Sequence, residues 1–231
     1  MILWAVMISV LGAYLIGSIP FGVIIARAHG IDLRSVGSGN IGATNVSRAL
    51  GRKWAYVCFA LDVLKGLIPT LLALHVIRSA STESGTSEAV ALCLWLAAGC
   101  ATIVGHVFPI YLRFRGGKGV STSFGVALGI WPYFTLCAGV AIAVWVIFAL
   151  KWRYVSLASM VASAMFFATL VLSVVFLPSW RFGTLWPLVI VATVIPASVF
   201  VRHRENIGRL INGTESKILQ KKDVGEGQRD P

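Results

Sequence analysis

The sequence predicts an all-α integral membrane protein with seven transmembrane helices, one of them short and beginning within a cytoplasm-facing cavity. Three observations carry this expectation. First, 57% of the 231 residues are apolar, only 13% are charged and the mean hydropathy is +0.83, far more apolar surface than a soluble domain of this length can bury. Second, nearly uncharged runs of about 18 residues or more, long enough to cross a bilayer as a helix, recur along the chain. Third, 17 of the 20 lysines and arginines fall in four patches: 27–53, 113–118, 151–153 and the tail from Arg202. The positive-inside rule places all four patches in the cytoplasm.

Taken in order, segment 1–26 is expected as a retained first span. It lacks the basic start and small-residue cleavage site of a signal peptide, and it takes the chain from an outside N-terminus to the first basic patch. Segment 54–77 returns to the polar "RSASTESGTSE", and 89–106 comes back to the second patch. Both ends of 119–150 carry basic residues, so an even number of crossings must fit there, with Trp131-Pro132 as the reversal. Residues 119–130 make a helix of only about 18 Å, against a hydrocarbon core of about 30 Å. Its start at "RGGKG" is therefore expected inside a cavity, as in broken membrane helices. Segment 154–177 exits to "PSWRFGT", and 185–201 returns to a cytoplasmic C-terminus. This gives a single membrane domain, 1–216, and a charged tail, 217–231. Cys58, Cys93, Cys100 and Cys137 lie in apolar stretches with no C-x-x-C spacing and read as small buried hydrophobes.

Three cytoplasmic segments are richer in glycine, hydroxyl and amide groups than orientation alone requires: "GSGNIGATNVSRALG" at 37–51, "GHVFPIYLRFRGGKGVSTS" at 105–123 and "RHRENIGRLINGTE" at 202–215. In the first, Gly37, Gly39 and Gly42 match the G-x-G-x-x-G spacing of a dinucleotide turn, with Asp62 twenty residues beyond Gly42. No strand–helix series surrounds it and Asp62 falls in a membrane helix, so nucleotide binding is not expected. The glycines instead free backbone N–H groups to face an anion, with Ser38, Asn40, Thr44, Asn45 and the forked cation Arg48 beside them. In the second, Gly116, Gly117 and Gly119 flank Lys118 at the start of the short helix, whose free N–H groups add positive potential. It is not a Walker A loop, because Leu112 stands where the first glycine belongs and Gly119 follows the lysine. In the third, His203 and Asn206 share a face if the last helix continues.

Each feature also has a structural reading. The glycine loops can be tight interhelical turns carrying orienting charges. His106, near Pro109, can serve a helix-terminal hydrogen bond as well as catalysis. His75 reads as interfacial and His29 as solvated. Asp62 and Lys65, one turn apart in a span, form either a mutually neutralising pair or part of a substrate site, since an isolated mid-membrane charge costs about 2.5 to 3.5 kcal/mol. With nine acids, none of them clustered, and no H-E-x-x-H pattern, neither a metal nor any other cofactor is expected. An H-x-x-x-x-D acyltransferase pattern is also missing.

The three segments, in their order and positions, resemble the conserved motifs of the bacterial acyl-phosphate:glycerol-3-phosphate acyltransferases. The similarity extends over about 14–215 and includes "LDVLKGLIP" at 61–69 and "RYVSLAS" at 153–159. Ser121 stands where alanine is common, and the outer loop and tail fall outside the pattern. The resemblance implies transfer of a fatty acyl group from acyl phosphate to the 1-hydroxyl of glycerol 3-phosphate, giving lysophosphatidate and phosphate, the first step of phospholipid synthesis. It implies a seven-helix protein of the bacterial inner membrane that works on membrane lipid, with no nucleic acid and no obligate protein partner. Ser38, Arg48 and Lys118 match positions associated with phosphate groups. His203 and Asn206 match positions near the glycerol 3-phosphate hydroxyl, while Ser156 and Arg204 complete the implied binding set. A mixed anhydride has a good leaving group, so positioning and charge stabilisation matter more than a strong base. Direct attack without an acyl-enzyme is the expected route, with His203 or a substrate phosphate oxygen as proton acceptor. A phosphate transporter and a lipid-binding scaffold are the rival classes. All three motifs lie on one face and the chain has no internal repeat, which speaks against the transporter.

Overall fold

The computed structural model describes residues 2–217; the charged tail expected at 217–231 lies, beyond Lys217, outside them. Among the described residues the chain is helical with no strand: α1 Ile2–Gly17, α2 Phe21–Ala28, α3 Ala43–Leu50, α4 Arg52–Ser84, α5 Glu88–Val107, α6 Val120–Gly129, α7 Tyr133–Trp152, α8 Val155–Phe176, α9 Phe182–Arg202 and α10 Arg204–Ile211. Six stretches are long and apolar enough to span a bilayer, and α6, at 10 residues, is the short seventh.

Two elements differ from the sequence expectation. The first span is two helices, because Pro20 has no N–H with which to continue the ladder of α1, and the chain restarts at Phe21. The second span runs on through most of the expected outer loop and ends where Gly85 takes a left-handed conformation, φ 64°. Its polar residues mislead because their hydroxyls bond back into the helix: Ser79 Oγ donates to His75 O at 3.1 Å and Thr82 Oγ1 to Arg78 O at 3.0 Å.

Lipid tails are as apolar as leucine, so helices in a membrane associate through close packing of small residues. Two such contacts set this fold. A Cβ on Gly125 of α6 would fall 2.0 Å from Val63 O of α4, and one on Gly66 of α4 would fall 2.3 Å from Thr122 O of α6. The same device joins α1 to α5, where a Cβ on Gly105 would lie 2.3 Å from Tyr14 O and one on Gly17 2.2 Å from Thr102 O. The apolar core draws on α1 and α4 to α9, around Ile77, Trp95, Ile130, Phe134, Leu170 and Leu188. Large apolar side chains such as Trp4, Ile8, Leu72 and Val175 face outward, as lipid-contacting residues do.

The segments following α2, α5 and α9 meet at one end of the bundle. Arg34 Nη2 donates to Arg115 O at 2.7 Å, and Arg202 Nη2 donates to Gly117 O at 2.8 Å.

Candidate active site

Lys118 lies at the centre of this end. Gly119 turns left-handed, φ 83°, immediately before α6, so the lysine stands at the mouth of the short helix rather than within it. Its Nζ donates to Asn206 Oδ1 of α10. Asn206 Nδ2 in turn donates to Glu215 Oε1 at 2.6 Å, and Ser156 Oγ, in the first turn of α8, donates to the same oxygen at 2.7 Å. Arg209 Nε donates to Glu215 Oε2 at 2.7 Å. One carboxylate therefore gathers α8, α10 and, through Asn206, the Lys118 loop.

Burial pushes the Lys118 ammonium well down, to about 8; the Glu215 charge opposes the shift and the cations of Arg209 and Arg48 add to it. Arg48 of the first motif thus acts on the same field as Lys118 of the second. The sign for activity follows, since the lysine is charged below about pH 8 and loses its proton above. We expect kcat/KM, which reports the free enzyme, to fall as pH rises through about 8, well below the range of an ordinary lysine. A pH–rate profile of the purified protein checks this, and a profile flat to pH 10 contradicts it.

His203 sits between α9 and α10 and is 3% exposed. The last helix does not continue through it, yet the break leaves both His203 and Asn206 buried, as a shared face requires. Its Nδ1 lies 2.7 Å from Val199 O, and a carbonyl can only accept, so Nδ1 carries the proton and Nε2 is the acceptor. Burial, then the Lys118 charge, push the ring down to about 4, which keeps it neutral near pH 7. Burial raises the Glu215 carboxyl, but the hydrogen bonds from Ser156, Asn206 and Arg209 outweigh it and hold the group below its usual value.

The first motif folds as a loop leading into α3. Gly37 and Gly39 are left-handed, φ 57° and 65°, which a side chain would strain. Asn45 is buried and spent on the loop: both Leu33 O and Val36 O accept from Nδ2 at 2.9 Å, and Ser38 N donates to Oδ1 at 3.1 Å. Asn40 Oδ1 similarly accepts from Gly42 N at 2.9 Å. These amides shape the cradle; Ser38, whose Oγ also donates to Asn45 Oδ1 at 3.4 Å, and Arg48 are exposed on it, and Thr44 is half-buried. Gly116 and Gly117 are stitched to α5, through Gly116 N to Val107 O and Gly117 N to His106 O, both at 3.1 Å. Arg204 is exposed at the start of α10.

An apolar crevice, open on one side, runs between α6, α7, α8 and α9, with Phe59 of α4 also on its wall. Val120, Ser159 and Val199 line its near end, two residues from Lys118, three from Ser156 and four from His203. Phe134 and Phe166 line its far end, their rings edge to face at 5.0 Å.

Three residues of this site escape the sequence reading. Arg202 ties the Lys118 loop to α9, Glu215 is the hub of the cluster, and Arg209 is its counter-charge. The second of two acids in the third motif, the one that closes it, is the signal that marks Glu215. Asp62 and Lys65 pair at 2.7 Å, apart from the Glu215 network, with His106 Nδ1 3.8 Å from the same carboxylate oxygen, and His29 and His75 are exposed.

A family model described as glycerol-3-phosphate acyltransferase matches residues 7–213. A glycerol-3-phosphate acyltransferase of Geotalea daltonii is 43% identical over 212 residues, 90% of this chain and 95% of its own. One from Aquifex aeolicus is 42% identical over 211 residues, 90% and 97% of the two chains. The crystal structure of PlsY, an integral membrane glycerol 3-phosphate acyltransferase, in its glycerol 3-phosphate form is similar with a TM-score of 0.75 and 40% identity, covering 92% of this chain and 94% of that one. The lysophosphatidic acid form of PlsY gives a TM-score of 0.72.

Proposed function

Because the chain belongs to the glycerol-3-phosphate acyltransferase family, we propose that the acyl donor is an acyl phosphate. A fatty acyl group passes from it to the 1-hydroxyl of glycerol 3-phosphate, giving 1-acylglycerol 3-phosphate and phosphate. The observation that carries this reading is a cationic site, Lys118 with Arg48 in its field, beside the near end of a crevice lined with apolar side chains. A phosphate head and an acyl tail, joined directly, fit the two parts in one piece. A thioester donor would bring no phosphate to its reacting carbon. The acyltransferase unit is placed at 1–216, in the bacterial inner membrane, with the N-terminus outside and the site and C-terminus cytoplasmic, on the charge asymmetry of the loops.

In this mechanism the glycerol 3-phosphate hydroxyl attacks the acyl carbonyl carbon, the carbon–oxygen bond to phosphate breaks, and the phosphate leaves with the electron pair. Lys118 and Arg48 stabilise the charge gathering on the leaving group. Ser38 Oγ holds its oxygens together with the backbone amides of 37–42 other than those of Ser38, Gly39 and Gly42, which already donate within the loop. Asn206 orients the nucleophile. The neutral Nε2 of His203 accepts the hydroxyl proton, its basicity raised by the bound phosphates. Substitution of His203 by alanine is expected to lower kcat by roughly 10²-fold or more and to change its pH dependence.

The test is a detergent-purified assay offering glycerol 3-phosphate with acyl phosphate or with acyl-CoA. Lysophosphatidate and inorganic phosphate are expected from acyl phosphate alone. Product from acyl-CoA, or none from acyl phosphate, would overturn the proposed donor.

A further inference from the structure

Asp62, Lys65 and His106 form a buried polar cluster beneath the site that no step above uses. Lys65 Nζ lies 2.7 Å from Asp62 Oδ1 and donates to Ile19 O at 2.8 Å, where the chain breaks between α1 and α2. These contacts satisfy a cation in lipid and anchor the carboxylate. A pair that only neutralised itself would need no third member. Yet the His106 Nδ1 is buried, lies 3.8 Å from the same Asp62 oxygen and has no hydrogen-bond partner among the described residues. That distance exceeds a hydrogen bond, so the carboxylate acts on the ring nitrogen electrostatically across a short gap. On its other side the ring lies against the loop, where a Cβ on Gly117 would fall 2.2 Å from His106 Nε2. The loop backbone is also hydrogen-bonded to the carbonyls of His106 and Val107.

The geometry points to Asp62 and His106 as positioning residues for the Gly116–Gly117–Lys118 loop. Asp62, held by Lys65, fixes the His106 ring through Nδ1–H, and the ring sets the height of Gly117 and so the placement of the lysine beside it. The device acts as an outer-shell hydrogen bond does when it orients a ligating group. This inference rests on the reading of the Lys118 loop as a phosphate site.

Three variants test it in the purified enzyme. Asp62→Asn combined with Lys65→Met removes both charges and strands neither. His106→Phe keeps a ring under Gly117 but cannot bond to Asp62, and His106→Gln keeps a donor. The double variant and His106→Phe are expected to melt near the parent while KM for acyl phosphate and Ki for inorganic phosphate rise about tenfold or more, the scale of a misplaced binding group. His106→Gln should lie closer to the parent. A purely structural role would lower kcat through lost folded enzyme and leave KM and Ki unchanged, and that result overturns the proposal. If the double variant does not insert, His106→Phe decides. Lys118→Met is the control: if it too leaves phosphate Ki unchanged, the phosphate reading of the loop has failed. If it alone raises Ki, only the positioning role has failed.

Discussion

Lys118→Met is expected to reduce kcat by about 10³-fold, the scale of removing one preorganised charge stabiliser from a developing anion, about 4 kcal/mol. The protein should still insert and melt like the parent. Methionine keeps the unbranched stem, and the deleted charge is one that burial already disfavours, as its lowered value near 8 records. The partner left behind, Asn206 Oδ1, is neutral, and the amide still donates to Glu215. Lys118→Arg should recover little, because a planar fork on a longer stem cannot replace a compact ammonium between Asn206 and the phosphate. Turnover beside a thermal melt checks both. Near-parent turnover in the methionine variant would remove the lysine from the chemistry.

Glu215→Ala is expected to combine a loss of activity of roughly 100-fold or more with a lowered melting temperature. Hydrogen bonds to a charged acceptor contribute about 1.5 to 3 kcal/mol each, and this carboxylate accepts three, from Ser156, Asn206 and Arg209. Without it α8 and α10 lose their common anchor, and Asn206 no longer presents its oxygen to Lys118. Arg209 is partly exposed, so solvent screens its share and the loss falls mainly on Ser156 and Asn206. Glu215→Gln, which keeps one acceptor oxygen for those two, should retain much of the stability. Equal melts and equal rates for the alanine variant and the parent would show that the hub has no such role.

The spans were legible because lipid imposes a coarse rule: about 20 apolar residues, with cations held to one side. That rule also located the short α6, since both ends of 119–150 carry basic residues. It failed where local chemistry resembled something else. Ser79 and Thr82 look like loop residues until their hydroxyls are seen satisfying helix carbonyls. Nor does hydropathy see Pro20 interrupting the first span, because apolar character continues through the break. At the site, motif chemistry pointed to Lys118, Arg48, His203 and Asn206. It could not separate Asn45, buried and consumed in shaping its loop, from Ser38, which stays exposed beside it.

The sequence by itself determined membrane class, the number of membrane segments, the clustering of charge and the residue types in three polar motifs, all of which follow from composition and spacing along one chain. Only the tertiary structure decided that Glu215 is shared by Ser156, Asn206 and Arg209, that Arg202 ties down the Lys118 loop, and that His106 lies between Asp62 and Gly117. The physical reason is range. A hydropathy run or a glycine spacing is a property of neighbouring residues, whereas a carboxylate joining positions 59 residues apart exists only once packed helices have brought them within reach.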